Sequence, residues 1–500
     1  MKTLPVALLV LLFTVVGLST LYAQPTDNDA TLAYKKELKA AGKTFVKYYY
    51  PNYASVHALP EKQFVYKIDS VRAVFNNTLN KYKGNFSTVY IGSQAAEIKY
   101  YFDKLLVDYA ANHEMYSGEK AVLKIIPRRL QQNQPALNDP ALLSNSDFTD
   151  YARALLAYRS WIEVRTRAYK KQDNQYLQAG WKLLPQFFKD PQCKSFWQYD
   201  CLYKHIDNNG IKNVRPFYDE FIRDCKDTSL LHKLVALYRE DSIGREGHLT
   251  RVYKSVDGLS LDIHLFLPDN VKAGAQRPVI ICFHGGSWSE GKADWFFEAC
   301  SQYAKRGWVA CAVEYRTAGR NGSLPMAAVM DAKSAIRWLR KNATEYNIDT
   351  GRIVATGNSA GGHMVLCTAL SDNLNEATDD LRYGAVPNLL LVNSGVYDLS
   401  DITTKWIRYE AKNDELVDEI MPLKKVRAGI PPVLMIHGTA DGNVPYASAK
   451  AFAEAMQKAG NDLEFSTLEG AEHFIWYDPK YASQVSQLRA DFLKKHGYPQ

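Results

Sequence analysis

The run Gly357-Asn358-Ser359-Ala360-Gly361-Gly362 constrains this chain more than any other stretch. An apolar segment, Arg352-Ile353-Val354-Ala355-Thr356, leads into it, and a helix-like segment, His363-Met364-Val365-Leu366-Cys367-Thr368-Ala369-Leu370, leads out. A serine placed between strand and helix in this way sits on a sharp turn, with its hydroxyl projecting and its backbone strained. Glycine at 357 and 361 removes the Cβ atoms that would collide in so tight a bend. The helix beginning at the turn aims free N–H groups at the serine and favours negative charge beside it. Glycine-rich turns are common, so the meaning of this one rests on its company.

That company lies in the second half of the chain. Arg251 to Ser255 and Leu261 to Leu267 alternate apolar and polar residues around Asp257-Gly258, a hairpin signal. Buried-strand runs then alternate with helices, at 279–283, 309–313, 353–355, 389–392 and 433–436, with helices over 327–340 and 447–459. This alternation predicts an α/β fold: a mostly parallel, doubly wound sheet covered by helices on both faces, with function at the carboxyl ends of the strands. The segment from Asp27 to about Glu240 instead spaces its apolar residues by three and four, as in Ala95–Leu106 and Tyr151–Tyr158, and predicts an all-helical domain. The expected divisions are a signal peptide at 1–23, a helical domain at 24–240 and a catalytic domain at 241–500.

Three further motifs fall at predicted strand ends. His284-Gly285-Gly286-Ser287-Trp288 follows the strand 279–283, and its glycines offer N–H groups that, with that of Ala360, would hold an oxyanion. His284 reads as a turn-stabilising residue. Asp441, in His437-Gly438-Thr439-Ala440-Asp441, would accept a hydrogen bond from an imidazole and fix its tautomer. Asp398, after the preceding strand, is a rival for that role. His473, in Gly470-Ala471-Glu472-His473-Phe474, follows the strand 463–468 and offers a general base for Ser359. Trp288 and Trp476 are candidates for lining a substrate site, with plain core packing as the competing reading. Trp406, Tyr409 and Met421 are candidates for its roof. Ser, then Asp, then His, each after its own strand, is the order expected for such a sheet.

On these residues the segment 249–498 resembles the α/β-hydrolase fold. It is nearest the esterase and lipase group that carries His-Gly-Gly-x-Trp and Gly-x-Ser-Ala-Gly-Gly. It is similar to bacterial carbohydrate esterases such as acetylxylan and feruloyl esterases, and to arylformamidases and hormone-sensitive-lipase-like enzymes. The resemblance implies Ser359 as nucleophile, Asp441 and His473 as its partners, and Gly285, Gly286 and Ala360 as oxyanion donors. It also implies a carboxylic ester substrate, with acetyl or feruloyl groups on a carbohydrate as the family's choices. Ser287 stands where lipase-like relatives often carry a third glycine and arylformamidases an aromatic residue, and the resemblance does not reach residues 24–240. A prolyl-oligopeptidase-like peptidase and a catalytically silent scaffold are the alternatives.

Composition bounds the rest. The chain has 500 residues, 46% hydrophobic and 23% charged, enough for more than one core. Its net charge of +7 is dispersed, so no nucleic-acid partner is called for. A short basic start, an apolar run and Leu21-Tyr22-Ala23 before Gln24 read as a secretory signal, giving a secreted or periplasmic protein without stable membrane insertion. Seven cysteines show no metal-binding spacing, and neither a metal nor a cofactor is expected. Cys193, Cys201 and Cys225 are candidates for one disulfide, Cys193 with Cys201 foremost. The helical domain is left as a binder of a protein, a polymer or the catalytic domain itself.

Overall fold

A computed structural model describes residues 29–120, 122–166, 173–269 and 275–499, so the expected signal segment lies outside the described residues. The first half is helical: α1 (Asp29–Tyr49), α2 (Tyr53–His57), α3 (Glu61–Tyr82), α4 (Thr88–Ser117), α5 (Ile125–Gln132), α6 (Ser146–Thr166), α7 (Gln175–Phe187), α8 (Pro191–Asn209), α9 (Arg215–Asp224) and α10 (Thr228–Gly244). The long α4 shows why these segments begin and end where they do. Ser87 accepts the N–H of Tyr90 at its start, and Gly118, at φ 75°, turns the chain out of its last turn. Among the described residues of this half there is no strand, so it is not the propeller of a prolyl oligopeptidase.

The second half contains β1 (Leu249–Val256), β2 (Leu259–Phe266), β3 (Arg277–Phe283), α11 (Phe297–Lys305), β4 (Val309–Val313), α12 (Ala318–Asn321), α13 (Pro325–Lys341), β5 (Ile348–Asn358), α14 (Ala360–Leu370) and β6 (Leu389–Asn393). It continues with α15 (Lys405–Ala411), α16 (Asp414–Glu419), β7 (Val433–Gly438), α17 (Tyr446–Lys458), β8 (Leu463–Leu468) and α18 (Ala482–Lys495). Asp257 and Gly258, both at positive φ, form the expected hairpin between β1 and β2. The eight strands form one sheet in the order β1-β2-β4-β3-β5-β6-β7-β8, with β2 antiparallel to its neighbours and β4 through β8 paired in parallel. Within β3, Val279, Ile281 and Phe283 enter one apolar core while Ile280 and Cys282 enter another. This two-residue period, with both faces buried, is what helices on either side of a parallel sheet require.

Several expectations change here. Cys193 and Cys201 both lie on α8, eight residues apart and therefore separated by about 12 Å along the axis, too far for a disulfide. All seven cysteines are free thiols. Trp406 and Met421 are buried in the core and Tyr409 packs against it, so the first two do not roof a site.

Where β4 ends, a buried cluster fixes the chain. Asp331 on α13 accepts from Lys254 Nζ at 2.7 Å and from Arg316 Nη2 at 2.7 Å, and the Arg316 N–H reaches its other oxygen at 2.9 Å. Glu376 pairs with the same two cations. Removing one member leaves buried charge without a counterion. Asp331→Ala is therefore expected to destabilise the protein by about 3–5 kcal/mol in urea unfolding. Asp380→Asn, which breaks an exposed pair with Arg382, should leave the midpoint unchanged.

Candidate active site

The carboxyl ends of β3, β5, β6, β7 and β8 face one side of the sheet, and the expected groups gather there. Ser359 caps α14 with φ 54° and ψ −120°, a conformation in which a residue with a side chain is strained. The turn is as tight as the glycine spacing implied: a Cβ on Gly361 would lie 2.0 Å from the Phe283 carbonyl oxygen. The Ser359 N–H donates to Asn393 O at 3.0 Å, tying the turn to the end of β6. One residue on, Ser394 Oγ donates to His473 O at 2.9 Å. Asn393 and Ser394 thus connect the serine turn to the histidine loop. Sequence reading passed over them, although a polar pair directly after the apolar strand 389–392 was the available signal.

His473 is 5% exposed, and its Nδ1 lies 2.8 Å from Asp441 Oδ2. A carboxylate only accepts, so Nδ1 carries the proton and Nε2 is left as a base. Asp441 is held from several sides. Its Oδ1 accepts the N–H groups of Asn443 and Val444 at 2.9 and 2.8 Å, and His437 Nε2 lies 3.2 Å from its Oδ2. Burial alone would push this carboxyl up, but the hydrogen bonds from His437 and His473 prevail and hold it well below the usual carboxylate range. The loops of Asp441 and His473 are joined as well, Ala440 N donating to Ala471 O at 3.0 Å. Asp398 instead caps its own turn, accepting from Ser400 N and Oγ, and is not the partner of His473. The Ser359 hydroxyl makes no hydrogen bond to His473 among the described residues, a contact that in unliganded sites commonly tightens only with substrate.

Beside Ser359 runs the glycine loop. A Cβ on Gly285 would sit 3.3 Å from Ser359 Cβ, so the two backbones are in contact. The N–H groups of Gly285, Gly286 and Ala360 have no acceptor among the described residues. His284 stabilises this turn as expected: burial pulls its pKa down to about 4, and its neutral ring donates from Nδ1 to Gly285 O at 2.8 Å. Tyr315, fully buried and unforeseen, donates its hydroxyl to His284 O at 2.8 Å.

The two tryptophan candidates part ways. Ser287 and Trp288 both adopt positive φ, which turns the indole inward until it is 3% exposed and packs edge-on against His363 of α14. Trp288 therefore does not line a substrate site. Trp476 is half-buried with its ring 5.8 Å from that of His473, and its neighbours Phe474 and Tyr477 are 57% and 64% exposed. The His473 loop thus carries an open aromatic rim that sequence reading recognised only at Trp476.

Comparison with known proteins finds similarity to esterases. The BD-FAE family model matches residues 261–456. Esterase LipQ of Mycobacterium tuberculosis is 30% identical over 241 residues, 44% of this chain and 56% of that protein. A probable isoprenylcysteine alpha-carbonyl methylesterase of Arabidopsis thaliana, ICMEL1, is 27% identical over 231 residues, 42% of this chain and 48% of its own. A solved thermophilic esterase of Thermogutta terrifontis, Est2, is 34% identical with a TM-score of 0.48, covering 51% of this chain and 94% of that one. The chain spans about half the length of these curated relatives. Residues 261–456 thus match the BD-FAE family model, and the chain is similar to esterases over less than half of its length.

Proposed function

We propose that this protein hydrolyses carboxylic esters through Ser359, His473 and Asp441. The observation that carries the reading is the 2.8 Å bond from His473 to a carboxylate held ionised, on loops tied by hydrogen bonds to a strained serine turn. In the reaction Ser359 Oγ attacks the ester carbonyl carbon while His473 Nε2 takes its proton. The carbonyl electron pair moves to oxygen, where the N–H groups of Gly285, Gly286 and Ala360 receive the negative charge. One such donor is worth about 3 kcal/mol. When the tetrahedral intermediate collapses, His473 returns the proton to the departing alcohol. Water, deprotonated by the same imidazole, then releases the acid. Asp441 remains ionised throughout and stabilises the imidazolium.

The substrate is proposed to be an acetyl or feruloyl ester of a carbohydrate. The exposed rings of Phe474 and Tyr477, with Trp476 behind them, support a flat ring stacking at the mouth of the site, whether an aromatic acid or a sugar face. Export through residues 1–23 completes the reading, and intact-mass analysis of the recovered protein should find a mature chain beginning at Gln24.

A fluorophosphonate probe is expected to label the wild type and not Ser359→Ala. An unlabelled, correctly folded wild type would remove the serine mechanism. Asp441→Asn should lower kcat on p-nitrophenyl acetate by about 10⁴-fold, because the amide imposes the wrong imidazole tautomer. Asp398→Asn should leave it within about twofold, and equal losses in the two variants would dissolve the assignment of the acid.

A further inference from the structure

The loop that carries Gly285 and Gly286 runs from His284 to Lys292 and is held along its length. At its start Tyr315 pins His284 O. In its middle the first N–H groups of α12 hold it, Ala318 N donating to Trp288 O and Gly319 N to Ser289 O, both at 2.8 Å. At its end the helical half takes over. Gly291 N donates to Asn208 O, in the last turn of α8, at 2.8 Å. Lys292 Nζ donates at 2.5 Å to Asp241 Oδ1 on α10, a carboxylate that is itself buried and also accepts from Ile211 N.

The end of the loop backs directly onto its start. A Cβ on Gly291 would lie 2.2 Å from His284 Nδ1 and 2.8 Å from Gly285 O, so displacement at Gly291 is felt at the oxyanion glycines. The other two anchors also lead to the helical half. Asp173, before α7, accepts from Arg320 Nη2 at 3.1 Å and Asn321 Nδ2 at 2.8 Å, and so fixes α12. Lys212, between α8 and α9, donates to Glu314 Oε2 at 2.8 Å and to Asp262 Oδ2 at 2.6 Å, gripping the residue before Tyr315.

We infer that residues 173–245 of the helical half are an intramolecular brace of the oxyanion loop, with Asp241, Asp173 and Lys212 as positioning residues. The helical half is then part of the catalytic unit and not a separate binding module. The inference rests on the hydrolytic reading above, and geometry supplies the reason for the arrangement: donors displaced by about 1 Å lose much of their effect on the transition state while ground-state binding is little changed.

The test uses the full chain. Fluorophosphonate titration counts the active sites of the wild type and of Asp241→Asn, Lys292→Met and Lys292→Arg, and kcat, KM and inhibition by phenylboronic acid are measured per active site. Phenylboronic acid probes the loop because addition of Ser359 Oγ to boron, with its proton passing to His473, gives a tetrahedral anion whose oxygen occupies the oxyanion position. Asp241→Asn and Lys292→Met are expected to lower kcat by about 10- to 100-fold and to weaken phenylboronic acid by a similar factor, with KM within about threefold. Lys292→Arg, which keeps the charge, should stay within about threefold of the wild type. The brace is overturned if both neutral variants keep kcat within twofold, or if kcat falls while the phenylboronic acid constant stays put. Should Asp241→Asn fail to fold, Lys292→Met breaks the same bridge from the other side. A wild type that is neither labelled nor active would strike the hydrolytic reading itself, and is told apart because it needs no variant.

Discussion

The site depends on keeping one carboxylate ionised where water does not reach it. Asp441 is buried, and an isolated charge in such a place costs several kcal/mol or is neutralised by protonation. The chain answers with two backbone N–H groups on one oxygen and two imidazoles near the other. Because these donors hold the carboxyl below its usual range, the stability they confer is present above the pKa of an unfolded aspartate. It is lost only as pH falls through the lower folded value. The same donors orient the carboxylate, the carboxylate orients His473, and Ser394 fixes the histidine backbone from the neighbouring strand end. The geometry proposed for catalysis is therefore a consequence of satisfying a buried charge.

How much of this could be read from residues alone follows from the range of the contacts involved. The serine turn was legible because its requirement is local: Gly361 must lack a Cβ against Phe283, and that shows as a glycine at a fixed offset from Ser359. The positions of the central strands along the chain were legible because burial on both faces leaves continuous apolar runs such as 279–283 and 433–436. The direction of Trp288 was not, since it turns on two successive positive φ angles at residues that are not glycine. The same limit hid Ser394, whose value lies in a hydrogen bond to a loop far along the chain.

The helical half illustrates the limit more fully. Its apolar spacing announced helices correctly, yet nothing local in Asp173, Lys212 or Asp241 distinguishes them from the many charged residues of a solvated helix surface. Their partners are Arg320, Glu314 and Lys292, and only the folded chain brings them together. The apolar part of the junction is equally silent in sequence. Met115 and Tyr116, in the last turn of α4, continue the pattern of their own helix but belong to the core of the sheet half.

That the junction carries buried charge also bears on its purpose. Burying Asp241, Glu314 and Arg320 carries a desolvation cost that well-packed apolar side chains would avoid, so ion pairs of this kind are poor devices for adhesion. They are good devices for register, because a displaced carboxylate loses its partner abruptly whereas a displaced leucine finds another apolar surface. Burial would push the Glu314 carboxyl up, and contacts with His264, Arg320 and Lys212 hold it down instead. A junction that tolerates one relative position of the two halves is what a loop with bare N–H groups needs. On the proposed reading its donors stabilise charge only where the developing oxygen will be, and the brace then makes the halves meet in one way so that this place exists.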